Sequence, residues 1–292
     1  MKITPFQNDR TGPMVKRHMA GMRALLILSL ACSGFILALT PFPAQASSSL
    51  QLDSTQAKST PAKPALAKSA SAKPEVDMLL CMAADVSESV TKADYDLQKK
   101  GHADAIRHPE VVAAISGGRF GKIAATYVEW AKQDQQFIAA PWQVIGNAQS
   151  ASAFGKAIDT APPPPWITNP VRNTSISEAI LFCLRQFENA PVRAARKVID
   201  LSSDGTHNIG AELAPSRQRA LEAGAVINAL AIVNSDNPYP YVTHENPEGG
   251  LPNYFRSNVV GGSGSFVESA EGYEDFARMI RRKFLLEIAS IN

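Results

Sequence analysis

The sequence predicts an α/β protein, a doubly wound and mostly parallel sheet with helices on both faces and one antiparallel edge strand. Three observations lead there. The runs VDMLLCMAA (Val76–Ala84), KIAATYVEW (Lys122–Trp130), ARKVIDLSS (Ala195–Ser203) and VINALAIV (Val226–Val233) are largely apolar. Such runs suit strands covered on both faces. Helical patterns separate most of them, an order that brings parallel strands together. One pair of strand segments is joined by only a short polar turn, so those two run antiparallel.

Taken in order, VDMLLCMAA is the first strand. Thr91 and Asp94 have the spacing of a capping box and open a helix to about Arg107. Pro109 starts a second, shorter helix. GGRFGK is a turn, KIAATYVEW the next strand, and QQFIAAPWQVI (Gln135–Ile145) its antiparallel partner, with Pro141 fixing it at an edge. Asn147 caps a helix to about Asp159, APPPPWITNP is a rigid loop, and Ser175–Glu188 is helical. After the strand ARKVIDLSS, AELAPSRQRALEAG is a helix closed by Gly224, and VINALAIV is the next strand. A long loop rich in Asn, Pro and Tyr then leads to a turn at GGSGS, a short strand at FVES and a last amphipathic helix from Gly272 to about Ile291. GGSGS opens a strand rather than a helix, which makes it a turn and not a phosphate cradle. The RRK run of the last helix (Arg281–Lys283) is expected in solvent.

Upstream of these elements the composition changes twice. Basic residues precede ALLILSLACSGFILAL (Ala24–Leu39), followed by prolines and PAQAS. Residues 1–46 thus have the three parts of a secretory signal peptide, with Ala44 and Ala46 at the cleavage spacing. A retained anchor needs ~20 apolar residues, and this run is shorter. Ser29 stands where a lipoprotein site around Cys32 wants an aliphatic residue. Met14, Met19 and Met22 are alternative starts that leave a more ordinary leader. Residues 47–74 are almost wholly Ala, Ser, Lys, Pro and Thr, too poor in apolar surface to offset the entropy of ordering. They read as a disordered linker. Residues 75–292 suffice for one substantial domain. The expected location is the periplasm or outside the cell, without membrane insertion once the leader is cut.

The overall charge of +2 hides an asymmetry. Residues 1–74 hold 9 of the 29 Lys and Arg but 2 of the 27 Asp and Glu. Residues 75–292 therefore carry 20 basic against 25 acidic side chains, a net of −5. Nucleic acid is not the expected partner of such a surface. Cys81 and Cys183 remain after cleavage; they either pair, as exported cysteines do, or stay as small buried hydrophobes.

In an open parallel sheet, ligands sit at the carboxyl ends of the strands where strand order reverses. Three stretches reach such ends. DVSES places Asp85, Ser87 and Ser89 after the first strand, NTSISEAI places Thr174 before a helix, and VIDLSSDGTHN places Asp204 after a later strand. Singly, these are helix caps and an Asp-Gly turn. Together they make an all-oxygen site, which favours Mg²⁺, Mn²⁺ or Ca²⁺ over zinc or copper. If the hydroxyls bind directly, Asp85 and Asp204 sit one water away and hold that shell. An ion ligated mainly by neutral oxygens keeps positive charge and attracts a partner's carboxylate. Glu129, at the end of the second strand, and His207 and Asn208, beside Asp204, are candidates for the rim. His102, His108 and His244 show no ligand spacing.

D-x-S-x-S after a buried strand, then T-x-I-x-x-A-I, then an apolar strand ending S-D-G, resembles the metal-ion-dependent adhesion site of von Willebrand factor type A domains, and all five positions are present. The segments VDMLLCMAADVSESV, YVEWA, PW, TSIS, VIDLSSDG, INAL and GGSGSFVESAEGYEDFARMIRRKFLLEIA are in turn similar to a bacterial exported family of that fold, domain of unknown function 1194. The resemblance implies a von Willebrand factor type A-like domain over 75–292 with a divalent cation, Mg²⁺ first, held by Asp85, Ser87, Ser89, Thr174 and Asp204. Glu88, where the motif often has Gly, and DGTHN, in place of Pro-Asn after the Gly, depart from the pattern.

Three functions compete. The expected one is an exported binding module that grips a protein's carboxylate through the ion. A metal-dependent hydrolase needs a base, for which only Glu129 or His207 offers itself; G-x-S-x-G and Asp-x-Asp are both missing. The third is a scaffold with an empty site that supports the Asn234–Tyr254 loop. No enzyme activity is expected.

Overall fold

A computed structural model of the chain describes residues 73–168, 173–233 and 247–289. The leader, nearly all of the linker and residues 234–246 of the Tyr-rich loop lie outside the described residues.

Six strands make one sheet: β1 (Met78–Asp85), β2 (Ile123–Trp130), β3 (Gln136–Ile145), β4 (Arg196–Ser203), β5 (Ala225–Val233) and β6 (Val267–Glu271). They lie in the order β3-β2-β1-β4-β5-β6. Only β3 runs antiparallel, along the edge of β2, with register shifts around Tyr127. The helices are α1 (Lys92–Arg107), α2 (Pro109–Ser116), α3 (Ala148–Thr160), α4 (Ile176–Glu188), α5 (Leu213–Glu222), α6 (Gly250–Asn258) and α7 (Phe276–Ala289). The Thr91–Asp94 capping box forms as expected, and so does a cap at Asn147.

Strand alternation sorts β1 onto two cores. Met78, Leu80, Met82 and Ala84 pack with α1, α2, α3 and α7. Leu79, Cys81 and Ala83 pack with α4, α5 and α6. Chain order reverses between β1 and β4, so the crevice of this sheet lies at their carboxyl ends. The cysteines pair: a Cys81–Cys183 disulfide joins β1 to α4 across 102 residues.

Two expectations need correction. The stretch read as loop up to GGSGS contains helix α6. Gly249 and Gly250 have φ of 76° and 79°, and Pro252 falls in the first turn, where proline is tolerated. Leu251, Phe255 and Val259 recur every four residues and cover β5 and β6, a signal outweighed at sequence level by the glycines and prolines around it. In the last helix Arg282 is solvated, but Lys283 is fully buried.

Lys283 pairs with Asp200 of β4 at 2.6 Å and with Glu287 at 2.8 Å, all three at zero exposure. Asn228 of β5, in register with Asp200, donates to the Glu287 carboxylate at 3.0 Å. Arg196 donates to the Glu287 carbonyl. Nearby, His102 of α1 donates from Nδ1 to the Gln98 carbonyl, and burial lowers its pKa to about 3, so it remains neutral. Two ionised carboxylates around one ammonium would leave a net buried negative charge. Burial, then the Asp200 charge, accordingly raise the Glu287 pKa from 4.5 to about 7. The folded state therefore holds this proton more tightly than the unfolded chain. The resulting stability is complete below pH 4.5 and is lost as pH rises through about 7. Glu287→Gln should flatten stability against pH in that window by up to about 1.4 kcal/mol per unit, measured by denaturant titration at half-unit intervals. An unchanged slope would place the proton elsewhere.

Candidate metal centre

Three chain segments converge at the β1–β4 crevice. Asp85 is the last residue of β1, and Ser87 and Ser89 lie in the turn before the Thr91 cap of α1. Thr174 immediately precedes the N-cap Ser175 of α4. Asp204 follows the last residue of β4. All five are buried.

Their oxygens form a continuous chain. The Thr174 hydroxyl donates to Ser87 Oγ at 3.3 Å, Ser87 and Ser89 share a 3.4 Å hydrogen bond, and Ser89 donates to Asp204 Oδ1 at 2.7 Å. Asp85 stands behind them, its Oδ1 accepting the Ser87 backbone N–H at 2.8 Å and its Oδ2 the Ser203 hydroxyl at 2.5 Å. Ser203 also accepts the Gly205 N–H at 3.1 Å and so couples the β4 turn to Asp85. Burial first, and the Asp204 charge second, raise the Asp85 pKa to about 7.

The donor set fits a hard divalent cation. Adjacent oxygens on an ion with ~2.1 Å bonds stand ~3.0 Å apart, and the spacings of this chain bracket that value. The set contains two carboxylates and three hydroxyls, with no imidazole or thiolate. Among the described residues no group of three or more His, Cys, Asp or Glu side chains is placed to hold a metal. Any metal here must therefore depend on Ser87, Ser89 and Thr174.

Glycine is needed where the loops close over the site. A Cβ on Gly205 would stand 3.3 Å from Thr174 Oγ1. At Gly210, φ is 100° and a Cβ would lie 2.3 Å from Ser175 Oγ, which allows the 205–211 loop to lie on the start of α4.

The rim candidates separate. Asn208 braces Thr174 in both directions, its Oδ1 accepting the Thr174 N–H at 2.9 Å and its own N–H donating to the Thr174 carbonyl at 3.0 Å. The backbone N–H of His207 donates to the Tyr254 hydroxyl at 3.3 Å, and burial lowers the imidazole pKa. Glu129 pairs in register with Ala84, on the face toward α1, and no hydrogen bond joins it to the five. Its Oε1 accepts from the Tyr95 hydroxyl at 3.1 Å, and burial raises its pKa to about 7 despite nearby Lys99. Strand parity, unused at sequence level, explains why Asp85 and Glu129 turn to opposite faces.

Two supporting residues were not anticipated. Ser203 holds Asp85. Gln98, fully buried on α1, donates to the Asp85 carbonyl at 2.8 Å and accepts from Ser202 at 3.0 Å. The sequence signal for Gln98 is a polar side chain on the helix face shared by Tyr95 and His102.

Comparison with known proteins concerns the fold that carries this site. The family model described as "Protein of unknown function (DUF1194)" matches residues 75–292. Proximal thread matrix protein 1 from the mussel byssus superposes with a TM-score of 0.50 at 17% identity, over 74% of this chain and 46% of its own. The same protein, in a structure described as having a zinc-occupied MIDAS motif, gives 0.51 at 14% identity, over 75% and 48%. A von Willebrand factor type A protein from Catenulispora acidiphila gives 0.47 at 16% identity, over 73% and 42%. The chain spans about half the length of these structures or less, and likeness at such identities concerns the fold. No curated protein matches the sequence.

Proposed function

The chain belongs to the DUF1194 family, proteins of unknown function with a von Willebrand factor type A-like fold, and from that premise we propose that it is an exported, metal-dependent binding module. The observation that carries this is the hydrogen-bonded chain Thr174–Ser87–Ser89–Asp204 at the switch point of the sheet, with Asp85 held behind it. The three hydroxyls would contact the ion. Asp85, with both oxygens already engaged by Ser87 and Ser203, and Asp204, engaged by Ser89, would act through intervening water. A bound divalent ion, Mg²⁺ foremost, would supply an electropositive docking point for a carboxylate of a protein partner. Of the two candidate bases for hydrolysis, Glu129 is turned away toward Tyr95, which favours binding. Export is supported by the Cys81–Cys183 disulfide, a bond that persists in oxidising compartments. No helix among the described residues is long and apolar enough to cross a membrane.

Calorimetric titration with Mg²⁺, Mn²⁺ and Ca²⁺, paired with thermal melts at high metal, tests the reading. The parent should release or absorb heat and gain about 2.7 kcal/mol at a hundredfold excess over Kd. Asp204→Asn, which keeps shape but deletes a charge, should weaken binding by roughly 10- to 100-fold, and Ser89→Ala should also weaken it. Equal responses in parent and variants would refute a metal at these residues.

A further inference from the structure

A cavity of about 510 Å³ opens beside the crevice. It shares Ser87 and Glu88 with the turn that carries the candidate ligands. Its other walls include Val90, Tyr95, Ile167 and Thr168, mostly apolar surface from the first turns of α1 and the segment after α3. The volume is that of a small-molecule or side-chain pocket.

Lys99 lies in this wall, only 9% exposed. Its ammonium donates to the Ala161 carbonyl, stands 3.5 Å from the Tyr95 hydroxyl and sits 5.5 Å from the centre of the Tyr95 ring. Among the described residues no carboxylate lies within ion-pair distance of it; Glu129, on the other side of the Tyr95 hydroxyl, is the acid that feels its charge. Lys92 and Asp96, also on the wall, pair with each other, and Glu88 is the remaining charge. A buried cation in the wall of an apolar cavity that also takes in Ser87 of the candidate metal site gives that cavity two chemistries to offer a ligand.

We propose that this cavity is the specificity pocket of the binding module: it receives the bulky apolar side chain next to the coordinating carboxylate of an acidic peptide, with Lys99 meeting an acceptor at its wall. This rests on the metal-dependent reading above and names the class of ligand that reading would select. An isolated carboxylate would bind through the ion alone. A carboxylate on an apolar body would also remove cavity surface from water, and a second anion would reach Lys99.

The test uses purified protein loaded with Mn²⁺, whose paramagnetism reports ligands by water-proton relaxation. The probes are acetate, 3-phenylpropanoate and 3-(4-carboxyphenyl)propanoate. The phenyl group should tighten binding by roughly tenfold over acetate, and the second carboxylate should tighten it again. Thr168→Trp, at an exposed position on the wall, should remove the phenyl increment while Mn²⁺ affinity stays unchanged. Lys99→Met should remove only the increment from the second carboxylate. Equal affinity for all three probes in Mn²⁺-loaded parent, or increments that survive both variants, would overturn the pocket and leave the metal site standing. Failure of the parent to bind Mn²⁺ would overturn both.

Discussion

Lys283→Met should destabilise the protein by about 3–5 kcal/mol, the cost of deleting one partner from a buried ion pair. For a domain of this size that lowers Tm by on the order of 10 °C. The reason lies in what remains. Methionine fills much of the lysine's volume, so packing changes little, but Asp200 and Glu287 would then share a dry site with no cation between them. The strain should be relieved by proton uptake, so the variant's deficit should shrink toward low pH. The triple variant Asp200→Leu, Lys283→Met, Glu287→Leu should recover most of the loss, since an apolar replacement carries no desolvation penalty. Thermal melts of parent, single and triple variants at pH 5 and 8 decide the matter. A loss below 1 kcal/mol in the single variant at pH 8 would mean that water reaches the triad.

Removing the disulfide is the second large effect. Cys81 and Cys183 close a loop of about a hundred residues, for which chain-entropy arguments give about 4–5 kcal/mol. Both cysteines are fully buried between β1 and α4, so the double Cys→Ala variant also loses packing. Urea unfolding of that variant should show a lower midpoint than the oxidised parent, and the reduced parent should fall between them or match the variant. If oxidised and reduced parent unfold at the same urea concentration, the bond does not constrain the unfolded chain.

Much of the fold was legible because the central strands are short apolar runs separated by helices with recognisable starts. Thr91, Pro109 and Asn147 marked helix beginnings that the structure keeps. Helix α6 was hidden because Gly249, Gly250 and Pro252 are read locally as loop, whereas tertiary burial of Phe255 decides for helix. The site's five residues could be named because each follows a strand end or precedes a helix, and the structure brings them together. Their supports could not. Ser203 and Gln98 matter through contacts 118 and 13 residues away in sequence, which a linear pattern does not contain. Lys283 was misread for a related reason. In the run RRK only a knowledge of helix phase distinguishes the solvated Arg282 from the lysine that faces Asp200.

The borders of the sheet have a consequence for crowding. On one side β3 carries Pro141, which has no N–H to offer, and its pairing is interrupted around Tyr127. On the other side β6 is only five residues long and contains two glutamates, one of them paired with Arg282. Short, charged or proline-bearing borders make poor templates for a neighbour's backbone. Copies of this domain at high concentration would therefore remain separate molecules and resist coalescing into a shared fibre, which keeps each carboxyl-end crevice open.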